Sequence, residues 1–382
     1  MIIRTACAGV LGAVVVTGTA WAQAQPTAGA KNAPAQSVAT LAGGWRLLAD
    51  GDAARAARVA SDLLAREPRS SAVLSFAIEV EVARAGAAGA LVVYERWLNA
   101  RPIEEAYSLR RVASALLWET AAGDKDRATR VAAIDALIAD GDLDAAALLP
   151  PAESAAPAET GARAATGNAA AVDSLVALAA QPGPGRRAAV SALSRSRSPR
   201  AIPALAGALT DPDPTVRAAA AEALGSLQAG SSVPRLKPLL DDPVVSVRLA
   251  AAGALLSLRD TSGMPLLRQL QSSEYPAIRL AAAQAAASEG GPEWLAVVRE
   301  LTKDSDPDVR RQAAQLIAPH DPDLAKATLE PLLTDPNPAI RQAAADSYVT
   351  STIDVSVLRR YFRDADSGTR VRAAERLLQM TR

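Results

Sequence analysis

Downstream of residue 36, apolar positions recur at the three-and-four spacing of a helix face, in short segments broken by polar turns. Val216, Ala219, Ala220, Ala223, Leu224 and Leu227 form one such stripe. The stripe then repeats. "DPDPTVRAAAAEALGSL" begins at Asp211, "DPVVSVRLAAAGALLSL" at Asp242, "SEYPAIRLAAAQAAA" at Ser273, "DSDPDVRRQAAQLIA" at Asp304, "DPNPAIRQAAADSYV" at Asp335 and "DSGTRVRAAERLLQM" at Asp366. Their arginines, Arg217, Arg248, Arg279, Arg310, Arg341 and Arg372, each fall 31 residues after the last. One further step back lands on Arg186 in "GRRAAVSAL". The expectation is seven units in one register, with no slip at the arginine.

Each unit predicts two helices. Asp213, Asp306 and Asn337 precede Pro214, Pro307 and Pro338, which is a helix start: a capping oxygen, then proline where no N–H is needed. Tyr275 before Pro276 departs from this, having no capping oxygen. A first helix carries Ile202, Leu205 and Leu209 in one unit and Val233, Leu236 and Leu240 in the next, with Pro203, Pro234 and Pro265 near its start. A two-helix unit cannot bury its apolar face alone, so stacking must supply the core, which predicts an elongated superhelix. The fold class expected is all-α: an α-solenoid of stacked two-helix repeats.

The order Asp-Pro, Val-Arg, Ala-Ala, Ala-Leu resembles the short HEAT-like repeats of the phycobilisome-lyase type, over residues 180 to 382. That resemblance is specific for fold and weak for function. It implies that Asp211/Arg217, Asp242/Arg248, Asp304/Arg310, Asp335/Arg341 and Asp366/Arg372 form an ionic ladder tying each turn to its second helix. Identical repetition favours such a brace over catalysis, since an active site occurs once.

Further upstream, Ala56 and Pro68 are 12 apart, as are Ala90 and Pro102, and the two sets lie 34 apart. Ala90-x3-Tyr94 with Pro102 resembles the second half of a tetratricopeptide repeat, over residues 37 to 103. Ala60 departs from that pattern, which commonly has an aromatic there. Trp45, Phe76, Tyr94, Trp97, Tyr107 and Trp118 gather in this half, and helical spacing favours core over a ligand groove. "RVAAIDAL" from Arg130 echoes a second helix outside the 31-residue register. "PPAESAAPAETGARAATGN" reads as a linker. The expected organisation is a signal peptide at 1–22, a disordered leader at 23–36, a tetratricopeptide-like region at 37–149, a linker at 150–168 and the HEAT-like solenoid at 169–382.

The signal peptide rests on Arg4, the apolar run Ala6 to Val16, and small residues permitting cleavage after Ala22 or Ala24. It predicts a periplasmic or secreted protein with no membrane span in the mature chain. Composition supports close-packed helices: apolar residues are 49% of the chain and aromatics 3%. Lys+Arg and Asp+Glu balance at 41 each, against nucleic-acid binding.

Candidate chemistry is sparse. Cys7 is the lone cysteine and His320 the lone histidine, so His- or Cys-based metal sites lack ligands. The HEAT-repeat enzyme deoxyhypusine hydroxylase holds di-iron through His-Glu motifs, and His320 is followed by Asp321. No G-x-S-x-G, Walker A or G-x-G-x-x-G occurs, and no buried cluster of unlike polar residues breaks the repeats. No cofactor is expected. "RSRSPR" from Arg195 reads as a solvated loop. Second helices of such solenoids line the concave face, with solvent positions one residue after the repeated arginine and four further on. These include Arg187, Leu249, Leu280, Arg311 and Gln342, then Gln284, Gln315 and Asp346. The mixture suits a protein or peptide partner. The expected function is an exported non-catalytic scaffold for protein–protein interaction in the cell envelope. The alternatives are an enzyme or enzyme-subunit role, including bilin attachment, and glycan binding.

Overall fold

The computed structural model describes residues 40–100, 102–150, 156–181, 183, 185–287 and 292–382, and the regular elements among them are helices. The expected signal peptide and leader lie outside the described residues. No helix among the described residues is long and apolar enough to cross a membrane. The chain divides into two compact units after Val112.

The first unit holds α1 (Leu41–Ala49), α2 (Ala53–Arg66), α3 (Ser71–Ala100) and the start of α4 (Ala106–Gly123). Thr40 and Asp52 cap α1 and α2 by accepting from Gly43 N and Arg55 N. Gly86 sits at φ 70° inside α3, a value L side chains resist, and breaks it into two helical stretches. Ala56, Ala60, Leu63, Val73, Phe76, Ala77 and Val80 form the core of the opening hairpins. Phe76, Tyr94 and Trp97 are buried. Tyr94 donates its hydroxyl to Glu104 Oε2 at 2.9 Å and accepts from Glu105 N at 2.7 Å. The Trp45 ring lies tilted against Phe76, centroids 5.1 Å apart, and both Trp45 and Tyr107 are exposed.

The second unit begins with the end of α4 and α5 (Arg127–Ala139). There follow α6 (Pro157–Ala165) and the pairs α7 (Ala169–Ala180) with α8 (Gly185–Arg195), α9 (Ile202–Ala208) with α10 (Pro214–Ser226), α11 (Val233–Leu236) with α12 (Val245–Ser257) and α13 (Met264–Gln271) with α14 (Pro276–Ala286). The last pairs are α15 (Pro292–Leu301) with α16 (Pro307–Ile317), α17 (Pro322–Leu329) with α18 (Pro338–Ser351) and α19 (Val355–Tyr361) with α20 (Ser367–Met380). Asp213, Asp306 and Asn337 cap their helices with the side-chain bonds that the Asp/Asn-Pro pattern predicts, and Tyr275 makes none. Trp118 lies at the start of this unit and donates Nε1–H to Asp142 Oδ2 at 2.8 Å.

Second helices pack on second helices more closely than first helices on first helices, so they form the inner layer of the curve. Small residues permit this. A Cβ on Gly225 of α10 would lie 2.9 Å from the Ala254 Cα of α12.

Three sequence expectations change. The segment 150–168 is not a plain linker: residues 157–165 are helix α6, which packs against α5, α7 and α8, and the division of the chain falls near residue 112 instead. Pro and Ala there start and fill a helix, with Glu159 accepting from Ala156 N across the first turn. The array is also not an open rod. The inner helices run α5, α6, α8, α10, α12, α14, α16, α18, α20, and α20 packs back against α5. Arg382 donates Nε–H to Asp140 Oδ1 at 3.3 Å across that contact. The second unit is therefore a closed circuit of inner helices, in which each end covers the apolar flank of the other.

The third change concerns register. In each full repeat the arginine Nη1 donates to the carbonyls six and five residues earlier. Arg217 binds Asp211 O and Pro212 O, and Arg248, Arg279, Arg310 and Arg341 repeat this. In the last unit Arg370 makes these bonds, to Asp364 O and Ala365 O, and not Arg372. The array slips by two residues there. Arg130 of α5 makes the same pair, to Asp124 O and Lys125 O, so α5 is a repeat helix despite its irregular spacing.

Candidate binding surface

The repeated arginine fixes which side chains share the inner face. Its side chain reaches back over the turn, which sets the rotation of the whole second helix. Residues one and five positions later then fall on one stripe, since a helix turns once in 3.6 residues.

The ladder itself differs from the expected one. In the units of Arg217, Arg248, Arg310 and Arg341, the arginine binds the backbone carbonyl of its Asp, not the carboxylate, whereas the expected pair Asp366/Arg372 does meet side chain to side chain, at 3.5 Å. The carboxylate serves two other ends. It accepts from the backbone N–H two residues on, as in Asp211 from Asp213, Asp242 from Val244, Asp304 from Asp306 and Asp335 from Asn337. At two steps it also binds the arginine of the preceding unit: Arg186 Nη1 to Asp211 Oδ2 at 2.6 Å, and Arg217 to Asp242 at 2.9 and 3.0 Å. The brace thus runs between units. Arg217 holds the Asp242 carboxyl below its usual range, by hydrogen bond first, against the opposing effect of burial. Asp366 is the N-cap of α20, accepting from Thr369, and Asp364 holds the ladder place.

Along the stripe one residue after the arginine, Arg187 and Gln342 are exposed and Leu249 and Arg311 are half-buried. Leu280 is buried, 4% exposed within the α14 packing, and offers a partner nothing. Along the stripe five residues after the arginine come Ser191, Glu222, Gly253, Gln284, Gln315 and Asp346. The corrected registers of α5 and α20 add Asp135 and Glu375, which the sequence reading missed. The signal was present: "DKDRATR" from Asp124 and "DADSGTR" from Asp364 carry the Asp, capping Asp and Arg spacing of "DPDPTVR".

This stripe divides into two parts. From α16 to α20 its polar groups are bonded to one another. Arg311 Nη1 donates to Gln315 Oε1 at 3.2 Å and to Ser347 Oγ at 3.1 Å. Gln342 Nε2 donates to Thr369 Oγ1 at 2.8 Å, and Thr369 donates to Asp346 Oδ1 at 2.8 Å. Arg372 also binds Asp346. Ser347 and Thr369 are wholly buried. A buried cluster of unlike polar residues therefore exists after all. It is assembled from three helices, so no single repeat displays it in sequence.

From α8 to α14 the stripe is open. Glu222 and Gln284 are exposed, with no side-chain hydrogen bond or ion pair among the described residues. Glu222 keeps its solvent contact, yet the protein around it pushes its carboxyl above the usual carboxylate range by desolvation. Burial likewise raises Asp135 and Glu375. His320 is exposed and its ring lies edge-on to Trp294, centroids 5.1 Å apart. Among the described residues no group of three or more His, Cys, Asp or Glu is arranged to hold a metal ion.

The profile for HEAT repeats matches residues 172–256, 233–318 and 296–379, together more than half of the chain. The chain belongs to the HEAT repeat family. Its HEAT body reaches beyond the matched span, since α5 and α6 complete the inner circuit. No protein of curated function matches the sequence. Among solved structures, the complex of CpcE and CpcF of phycocyanin lyase from Nostoc is 20% identical, covering 71% of this chain and 94% of that one, with a TM-score of 0.38. Human deoxyhypusine hydroxylase in complex with glycerol is 18% identical, covering 72% and 97%, with a TM-score of 0.31. At these identities and scores neither activity transfers to this chain.

Proposed function

We propose that this chain is a non-catalytic HEAT-repeat scaffold of the cell envelope, which holds a protein segment against the inner face of α8 to α14. The observation carrying this is the contrast along one stripe. Glu222 and Gln284 are exposed with no side-chain partner among the described residues, while the equivalent groups from α16 to α20 are satisfied internally. A mixed surface of amide, acid, Arg187 and the half-buried Leu249 suits a polypeptide better than a phosphate track. The buried cluster at Ser347 and Thr369 is the feature an enzyme would use. Its hydroxyls are fully covered and bonded, so they face no substrate.

The test is a charge reversal on the open part, Glu222→Arg with Gln284→Arg, followed by crosslinking in intact cells. Loss of defined crosslinked partners at unchanged melting temperature is expected. The same partners at the same yield would contradict the surface. Export is tested by sequencing the N-terminus of the protein recovered from envelope fractions, expected to begin after Ala22 or Ala24.

A further inference from the structure

The brace between units runs along the heads of the second helices and loses its charge at one place. Arg217 holds Asp242 of the next unit through Nε and Nη2, while its Nη1 is fixed by its own turn. Arg248 is seated by the same two bonds, Nη1 to Asp242 O at 2.7 Å and to Pro243 O at 3.3 Å. The ladder place that follows it holds Ser273 and not an aspartate. That turn is otherwise built like the rest. Ser273 Oγ accepts from Tyr275 N at 3.2 Å, as the Asp carboxylates accept two residues on, and Ser273 O accepts from Arg279 Nη1 at 3.0 Å.

The ladder places before α10, α12, α16, α18 and α20 carry Asp211, Asp242, Asp304, Asp335 and Asp364. Arg279 and Arg310 make no ion pair with Asp304 and Asp335 among the described residues, yet a carboxylate stands at each of those places. Arg248 precedes a neutral one. It is half-buried, and its Nε and Nη2 have no hydrogen bond or ion pair among the described residues. Such a guanidinium edge matches the two oxygens of a carboxylate. Neighbouring acids do not supply them. Asp242 feels the Arg248 charge but gives its oxygens to Arg217 and Val244 N. Glu274 is exposed and makes no ion pair among the described residues. The place is open to solvent on the α14 side, where Tyr275 is 60% exposed. It adjoins the open part of the inner stripe, since Leu249 follows Arg248 and Gln284 lies on α14.

We propose that Arg248 and Ser273 frame a socket for a carboxylate side chain of a bound polypeptide, which takes the place of the absent ladder aspartate. This rests on the reading of the open stripe as a polypeptide surface. Charge complementarity selects the occupant: a half-buried fork opposite a neutral hydroxyl favours Asp or Glu over the neutral amides of the same shape. The exposed Tyr275 ring beside it offers contact to the apolar part of the same segment.

Ser273→Asp fills the socket from within, and Ser273→Ala leaves it empty. In the full chain, Ser273→Asp is expected to close the brace on Arg248 and raise the melting temperature by about 2–4 °C. The binding probe is a fluorescein-labelled short peptide of alternating Gly and Glu, set against its Gly-Gln counterpart and read by anisotropy. The parent and Ser273→Ala are expected to prefer the Glu peptide about tenfold. Ser273→Asp and Arg248→Gln are expected to lose that preference. Arg187→Gln, at an exposed arginine elsewhere on the stripe, is expected to keep it. The socket is overturned by a parent without the preference, by a preference that survives Ser273→Asp or falls equally in Arg187→Gln, or by a Ser273→Asp melting temperature that does not rise. Cellular crosslinks lost in Glu222→Arg, Gln284→Arg but kept in Ser273→Asp would leave the scaffold standing and remove the socket.

Discussion

Arg217 of α10 grips Asp242, at the head of the next repeat, through two parallel hydrogen bonds, Nε to Oδ2 at 2.9 Å and Nη2 to Oδ1 at 3.0 Å. Its remaining nitrogen, Nη1, holds the carbonyls of its own turn. One side chain therefore joins two units. The pair is mostly shielded from solvent, at 13% and 9% side-chain exposure. Arg217→Ala strands a shielded carboxylate and should destabilise the HEAT body by about 3 kcal/mol. Arg341 is exposed and binds carbonyls of its own turn, so Arg341→Ala should cost about 0–1 kcal/mol. Urea unfolding of the two variants checks the difference; equal losses would mean that the inter-unit pair adds nothing.

The same pair makes an acid prediction. Asp242 is held below its ordinary value, so its contribution is present above the unfolded carboxylate range and lost as pH falls through the lowered one. Asp242→Asn should therefore lower the melting temperature at neutral pH and match the parent at about pH 2. Glu222 works oppositely. Its carboxyl is raised, so Glu222→Gln should stabilise at neutral pH, and the gain should vanish in acid.

Close helix approach makes a third. At Gly225 an added Cβ meets the Ala254 backbone at 2.9 Å, whereas at Gly207 of α9 it meets nothing within 4 Å. Gly225→Ala should destabilise by about 1–3 kcal/mol. Gly207→Ala, in an exposed helix position, should stabilise by about 0.5–1 kcal/mol. Thermal melts of both proteins decide this.

The polar cluster should behave as a unit. Asp346 and Arg372 are bonded across α18 and α20, and both also reach Thr369. A double-mutant cycle with Asp346→Ala and Arg372→Ala should show a coupling of about 1–3 kcal/mol. Additive losses would show that Arg372 serves only its own helix.

The sequence carried the repeats well, because each one buries the same stripe and reuses the same capping residues. Asp213, Asp306 and Asn337 cap as their spacing predicts. Two kinds of feature escaped. A strict 31-residue count assigned the last brace to Arg372, because "RVR" offers two arginines and only backbone geometry selects Arg370. The same count set aside Arg130 and read α6 as a linker, since its alanines and prolines look like a spacer until Glu159 is paired with Arg127. Ring closure escaped for a different reason: it is set by the summed rotation of many units, and no local pattern encodes that sum. Of the binding stripe, Arg187, Gln284 and Gln342 are exposed, whereas Leu280 is buried in the core cluster around α14.

The central claim is that the HEAT body closes through α5 and α20. Cysteines at Asp140→Cys and Arg382→Cys, in the full chain with Cys7→Ser, test it most directly. A reducible bis-thiol crosslinker long enough to span an arginine side chain should join them within one chain, giving a faster-migrating band that a reductant removes. Failure of that intramolecular link, with links only between separate chains, would contradict the closed circuit.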